Sequence, residues 1–167
     1  MYLISDGGMP CNSLDTIESV LLTKNIKRLD GVKLDVRLSQ DKVFVISRYQ
    51  ELDKFSYSKG LINEYNYNYL RKIKFPSHIF KYYIPTLEEI LKRYDNSKII
   101  VLELYSISNL NILFDLLSKY DYKYYFYSKD NNIINKLTDL SFNKLGFIIN
   151  SNNIIKNDSN TFYISTN

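Results

Sequence analysis

The chain has 167 residues, 45% of them apolar and 24% charged, with a formal charge of +4. That length and apolar content suffice for a buried core and exclude a disordered chain. No apolar run reaches about 18 residues, which excludes a membrane-spanning helix. The mild positive charge permits anionic partners without requiring them. Cys11 is the only cysteine, so no disulfide framework and no cysteine-based zinc site is available. Ala and Trp are absent, while Tyr, Asn, Ile and Lys are abundant. This bias dulls helix signals, because Asn and Tyr are mediocre helix formers. Met1 to Ser5 lacks a basic start followed by an apolar stretch, so a cytoplasmic location is expected. No linker or repeat divides residues 1–167, which are expected to form a single domain.

Residues 2–5 read as a strand, and a helix follows over about 13–24 with Leu14, Ile17, Val20 and Leu21 on one face. After Gly31, Val32, Leu34, Val36 and Leu38 alternate with Lys33, Asp35 and Arg37, which is strand period. A turn over Ser39 to Lys42 leads into a second hairpin strand, Val43 to Ile46. Residues 49–84 are irregular, with a short helix expected around Tyr67–Ile73. Thr86 and Glu89, after Pro85, form a capping box that starts a helix with Leu87, Ile90, Leu91 and Tyr94 buried. Lys98 to Leu104 is a strand with the near-continuous apolar run of one covered on both faces. Helices marked by Leu110 to Leu117 and by Ile133 to Leu140 then alternate with strands Lys123 to Tyr127, Leu145 to Ile149 and Phe162 to Ser165.

Strand–helix alternation implies βαβ units and a parallel sheet, whose ligands sit at the carboxyl ends of the strands. The residues at those ends are the ones to inspect: Ser5 to Gly8, Lys33 to Arg37, Ser47 and Arg48, Glu103 to Tyr105, Ser128 and Lys129, and Asn150.

Gly31 to Arg48, with Leu34-Asp35-Val36 before the turn and an apolar strand after it, resembles the core motif of glycerophosphodiester phosphodiesterases. Ile4 to Gly8 stands where that family has a strand ending in His-Arg-Gly, and Leu14-Asp15-Thr16 where it has Glu-Asn-Thr. Ile84 to Leu91 is similar to its Pro-Thr-Leu-Glu-Glu helix start, and Val101 to Leu104 falls on its Ile-Glu-Ile-Lys strand. The resemblance implies an α/β fold of the TIM type, a (β/α) barrel. The chain supplies about six parallel strands plus a β-hairpin, against eight units in a full barrel, so a shortened or incomplete barrel is expected. Its open edge strands would invite a homodimer or a heteromeric partner.

The same resemblance implies a divalent metal held by strand-end carboxylates and two histidines as general acid and base. Here the histidine positions are Asp6 and Ser47, with Arg48 following the second. The metal-binding Glu is Lys33, the strand Lys is Tyr105, and Asp35 and Glu103 remain. Asp6 would need a strongly raised pKa to act as an acid, and Ser47 cannot act as one, so no residue is assigned a catalytic role. Lys33 and Asp35 point to one face of their strand, which places the ammonium near Asp35 and Glu103 as a stand-in for the metal. The alternative is a solvated Lys33 at the barrel mouth. Lys33, Arg48 and Tyr105 are the candidate binding residues, Arg48 for a phosphate or as a surface ion-pair partner. Asp6, Asp35 and Glu103 are the metal candidates; no cofactor is expected unless they form a site, for which Mg²⁺ or Ca²⁺ is the fitting ion. His78 and Cys11 read as bystanders.

Tyr65, Tyr67 and Tyr69 beside Arg71, Lys72 and Lys74 could stack bases, although in this composition they read as ordinary faces and nucleic acid is not expected. Three functions stay open. The first is a member without acid–base machinery that binds a phosphate-bearing ligand or a protein partner. The others are an active metal-dependent phosphodiesterase with an altered carboxylate site, and an unrelated structural or nucleic-acid-binding domain.

Overall fold

The computed structural model describes residues 2–9, 15–75, 82–105, 107, 110–139 and 146–150, with backbone alone for 138, 139 and 146–150. Cys11, His78, residues 13 and 14 of the helix expected over 13–24 and the strand expected at Phe162 to Ser165 lie outside the described residues; that helix begins at Ile17, because Asp15 sits at φ 62° and Thr16 is its extended N-cap.

Strands β1 (Ile4–Asp6), β2 (Gly31–Leu38), β3 (Phe44–Ile46), β4 (Ile99–Leu104), β5 (Lys123–Ser128) and β6 (Gly146–Asn150) form one sheet. Its order is β1-β2-β4-β5-β6, all parallel, and β3 folds back antiparallel on the far end of β2 through Val36–Ile46 and Leu38–Phe44. The crossovers carry helices α1 (Ile17–Thr23), α3 (Leu87–Leu91), α4 (Leu110–Leu117) and α5 (Asn131–Asp139), as parallel pairing requires. Among the described residues the sheet is open, with β1 pairing β2 alone and β6 pairing β5 alone. It is a shortened (β/α) barrel. Among the described residues no helix is long and apolar enough to cross a membrane.

The helix starts follow from local chemistry. Thr86 Oγ1 accepts from the Glu89 amide at 3.0 Å, and the Glu89 carboxylate accepts from the Thr86 amide at 2.9 Å, so the capping box forms as the sequence predicts. Thr16 caps α1 by accepting from the Ser19 amide at 3.2 Å.

The sheet's two faces have different contents. Val32, Leu34, Val36, Ile100, Leu102, Leu104, Tyr124 and Phe126 pack on the helical layer through Ile17, Val20, Leu87, Ile90 and Leu113. The other face carries a small apolar layer of Ile4, Ile99, Val101 and Tyr125. Gly31, at the start of β2, lets the strands close up: a Cβ there would stand 2.1 Å from the Ile99 carbonyl oxygen.

The irregular stretch after β3 makes its own core from Val45, Leu52, Ile62, Leu70, Ile73 and Ile84. It holds 3₁₀ turns at Leu52–Lys54 and Ile62–Glu64 and a one-turn helix α2 (Tyr67–Leu70), shorter than the Tyr67–Ile73 expected. Its tyrosines are used locally: Tyr65 and Tyr69 stack at 4.5 Å, and Tyr67 donates to Glu89 at 3.1 Å.

Candidate functional site

Strand alternation sets Lys33, Asp35 and Arg37 of β2 on the face opposite Val32, Leu34 and Val36. Parallel register sets Asp6 of β1 beside Lys33, and Glu103 of β4 beside Asp35. The sequence candidates from three strands therefore converge above the layer formed by Ile4, Val101 and Tyr125.

The Lys33 ammonium is the focus. Its Nζ lies 3.1 Å from Asp6 Oδ1, 3.1 Å from Asp35 Oδ1 and 2.5 Å from Glu103 Oε2. Lys33 is 7% exposed, Asp35 1% and Glu103 4%, so these are interior ion pairs and not a solvated barrel mouth. The Tyr105 hydroxyl, just past β4, donates to Glu103 Oε1 at 2.5 Å and to Asp35 Oδ1 at 3.2 Å.

A second cation closes the cluster from the β3 side. Arg48 Nη2 is 3.0 Å from Asp6 Oδ2, and its Nε is 3.9 Å from Asp15 Oδ2 and 4.0 Å from Asp35 Oδ2. The Arg48 amide also donates to Asp15 Oδ2 at 2.9 Å. Gly7 makes room for this. It turns at φ 71°, its amide donates to the Lys33 carbonyl at 3.0 Å, and a Cβ there would lie 2.6 Å from Asp15 Oδ1. Asp15 itself sits at φ 62°, held by its amide donating to Gly7 O at 2.8 Å. Ser47 points its hydroxyl at the Tyr49 carbonyl, 2.8 Å away.

Four carboxylates thus face two cations, Lys33 and Arg48. Burial, joined by the charges of Asp35 and Asp6 and opposed by Arg48, pushes Asp15 up to about 7. Burial also raises Asp35, against the pull of Lys33. Burial works the same way on Glu103 but loses there to hydrogen bonds from Lys33 and Tyr105, which hold it below the usual carboxylate range. Desolvation opposes the charge on Lys33, yet Asp35, Glu103 and Asp6 together hold its pKa above that of a free lysine. Burial and the Glu103 carboxylate raise Tyr105, so the phenol stays a donor. The two carboxyls that are pushed up, Asp15 and Asp35, are those whose protonation balances the cluster's charge. Asp15 Oδ1 and Asp35 Oδ2 are also buried with no hydrogen-bond partner among the described residues.

A divalent ion does not fit this arrangement. The space between Asp6, Asp35 and Glu103 is held by an ammonium, and among the described residues no group of three His, Cys, Asp or Glu side chains is placed to hold a metal. A cation entering there would meet Lys33 at contact distance in a water-poor site.

Two residues to which the sequence assigns no binding, metal or catalytic role belong to this neighbourhood. Asp15 lies one helix start away from the strands, and its only sequence signal is its place in the Leu-Asp-Thr stretch. Arg37 reads as an ordinary alternating strand residue. Its guanidinium lies over the Tyr105 ring at 4.0 Å and donates to the Ser47 and Arg48 carbonyls at 2.9 and 2.7 Å.

Fold and site together define an α/β barrel-type protein whose polar cluster stands at the carboxyl ends of β1, β2 and β4. No protein-family model matches the sequence, and no curated protein matches it. Solved structures do. A phosphodiesterase from Oleispira antarctica, in complex with the product sn-glycerol-3-phosphate, matches over 90% of this chain and 64% of its own, with TM-score 0.74 and 21% identity. A glycerophosphodiester phosphodiesterase from Thermotoga maritima matches over 88% and 61%, with TM-score 0.69 and 22% identity. Another, from Agrobacterium tumefaciens, matches over 87% and 65%, with TM-score 0.71 and 16% identity. The chain has the fold of these enzymes, and it spans less than two-thirds of the length of each.

Proposed function

We propose that this chain is a non-hydrolysing protein on the glycerophosphodiester phosphodiesterase fold, which binds a phosphate-bearing small molecule and uses the Lys33 ammonium where relatives of that fold would use a metal. The observation that carries this reading is the contact of Lys33 Nζ with Asp6, Asp35 and Glu103 at 2.5–3.1 Å. The ammonium supplies one positive charge that cannot polarise a phosphoryl oxygen as a divalent ion does. The positions matching the family's histidines hold Asp6, which is ion-paired to Lys33 and Arg48, and Ser47, which is bonded to a backbone carbonyl. A general acid–base pair contributes a factor of about 10²–10⁴, and its loss leaves little of the reaction. A phosphate-bearing ligand is supported by the fold shared with the Oleispira enzyme, whose structure holds sn-glycerol-3-phosphate. A second chain, of the same or another kind, pairing along the edge of β1 belongs to the same proposal, since β1 has β2 as its one described neighbour.

One observation favours a second reading, that of a phosphodiesterase with an altered carboxylate site: Asp15 is pushed up to about 7, within the range of a working acid. Glycerophosphodiester hydrolysis with Mg²⁺, Ca²⁺ or Mn²⁺, against a chelator control, separates the two. The expected result is no turnover with any ion. Metal-dependent turnover that disappears in Asp35→Ala or Glu103→Ala would overturn the proposal.

A further inference from the structure

A pocket of about 330 Å³ opens beside the carboxylate cluster, between the β2–β3 hairpin and the irregular stretch after β3. Its walls are Arg37, Leu38, Ser39, Gln40 and Lys42 of the hairpin, Gln50, Ile62 and Asn63 of the irregular stretch, and Tyr105. The volume sits at the small end of the range for ligand sites, about 300–1,000 Å³. Among the described residues no acidic side chain lines it, and two cations do.

We infer that this pocket, rather than the strand-end carboxylates, is the binding site for a small oxyanion-bearing molecule, with Arg37 and Lys42 as the charged recognition groups. The inference rests on the ligand-binding reading above and gives that ligand a location. Several observations carry it. Arg48, the guanidinium that the sequence offers for a phosphate, is ion-paired with Asp6 at 3.0 Å and faces Asp15 and Asp35 at 3.9 and 4.0 Å, so its charge is already balanced by carboxylates. Arg37 is half-buried and, among the described residues, has no carboxylate within ion-pair distance. Among the described residues only its Nε and one N–H of Nη2 are engaged, by the Ser47 and Arg48 carbonyls. Those bonds and the Tyr105 ring beneath the guanidinium at 4.0 Å fix its plane, and they leave the Nη1 side free to donate. A fixed fork loses little entropy when it takes a planar or tetrahedral oxyanion. Lys42 stands on the hairpin turn, at φ 64°, with its side chain exposed. The side-chain amides of Gln50 and Asn63 have no hydrogen-bond partner among the described residues, so both are available to polar groups that accompany the anion. Leu38 and Ile62 supply a short apolar wall.

The chemistry recognised is the oxyanion, which a phosphate ester and a carboxylate share. The test is a ¹H–¹⁵N chemical-shift titration of the full chain with inorganic phosphate, sn-glycerol 3-phosphate and malonate, each against sodium chloride at matched ionic strength. The expected result is saturable shifts at Lys42, Gln50 and Asn63, including the side-chain amides, with at least one phosphate probe or malonate. Which probe saturates first tells phosphate from carboxylate. Arg37→Gln risks loosening the Ser47–Arg48 segment, so the deciding variants are Lys42→Glu and Asn63→Asp, both on exposed side chains. Each is expected to weaken binding tenfold or more while leaving the melting temperature within about 2 °C. Three results would overturn the inference: no saturable response to any probe, shifts centred on Asp6 and Arg48, or unchanged affinity in both variants. Hydrolysis plays no part in this readout: turnover would refute the non-hydrolysing reading while leaving the pocket intact, shifts centred on Asp6 and Arg48 would refute the pocket while leaving ligand binding intact, and no binding of any probe would refute both the pocket and the ligand-binding reading.

Discussion

Replacing Lys33 by Met removes the charge that Asp6, Asp35 and Glu103 share. The ammonium contacts Asp6, Asp35 and Glu103 at 3.1, 3.1 and 2.5 Å in a site where Lys33, Asp35 and Glu103 are under 10% exposed. Deleting one partner of a buried pair leaves uncompensated charge and typically costs about 3–5 kcal/mol. For a domain of this size each kcal/mol is worth about 2–4 °C, so the melting temperature should fall by roughly 10 °C at pH 8. The loss should shrink at pH 5, where the freed carboxyls take up protons. It should also be largely offset by Ca²⁺ or Mg²⁺, because the vacated focus then offers hard oxygen ligands. An ion present at about 100 times its dissociation constant would restore about 2.7 kcal/mol. The assay is thermal denaturation of both proteins with and without millimolar Ca²⁺ and with a chelator. If Lys33→Met melts with the wild type at pH 8, or if Ca²⁺ raises the wild type as much as the variant, the reasoning fails.

Asp15 gives a pH signature. Its folded pKa of about 7 lies above its unfolded value of 3.8, so the folded state holds a proton there that the unfolded state releases first. That stability is fully present below about pH 3.8 and is lost as pH rises through about 7, a loss on the order of 4 kcal/mol with the opposing pull of Arg48 already included. Asp15→Asn should flatten the fall in urea-unfolding free energy between pH 4 and 7 and be the more stable protein at pH 8; an unchanged slope would contradict the burial argument. Gly31→Ala puts a Cβ 2.1 Å from the Ile99 oxygen, and should lower stability by about 1–3 kcal/mol or more through separation of β2 from β4. A denaturation midpoint equal to that of the wild type would refute the close-approach account of that glycine.

Much of the fold is legible in the sequence because period-two and helical patterns survive the Tyr- and Asn-rich composition. β2 appears as alternation from Val32 to Leu38, and α3 appears through Thr86 and Glu89. The convergence of Asp6, Lys33, Asp35 and Glu103 follows from strand ends and parallel register, so it is legible as well. What is not legible depends on long-range packing. Asp15 enters the cluster through a left-handed backbone conformation and a Gly7 with room above it, neither of which a periodicity marks. Arg48 reads as a phosphate candidate, because nothing local shows that Asp6 and Asp15 will claim it. Arg37 and the pocket beside it need the 50–63 stretch to fold against the hairpin, and that stretch has no repeating pattern to read.

The claim at the centre of this account is that an ammonium fills the place of a metal. Calorimetric titration of the wild-type chain with Ca²⁺ at pH 7.5, with Lys33→Met titrated alongside, tests it directly. The account predicts no stoichiometric binding to the wild type and one site in the variant. A single tight site in the wild type, lost on Asp35→Asn, would show that the carboxylates take a metal with Lys33 in place.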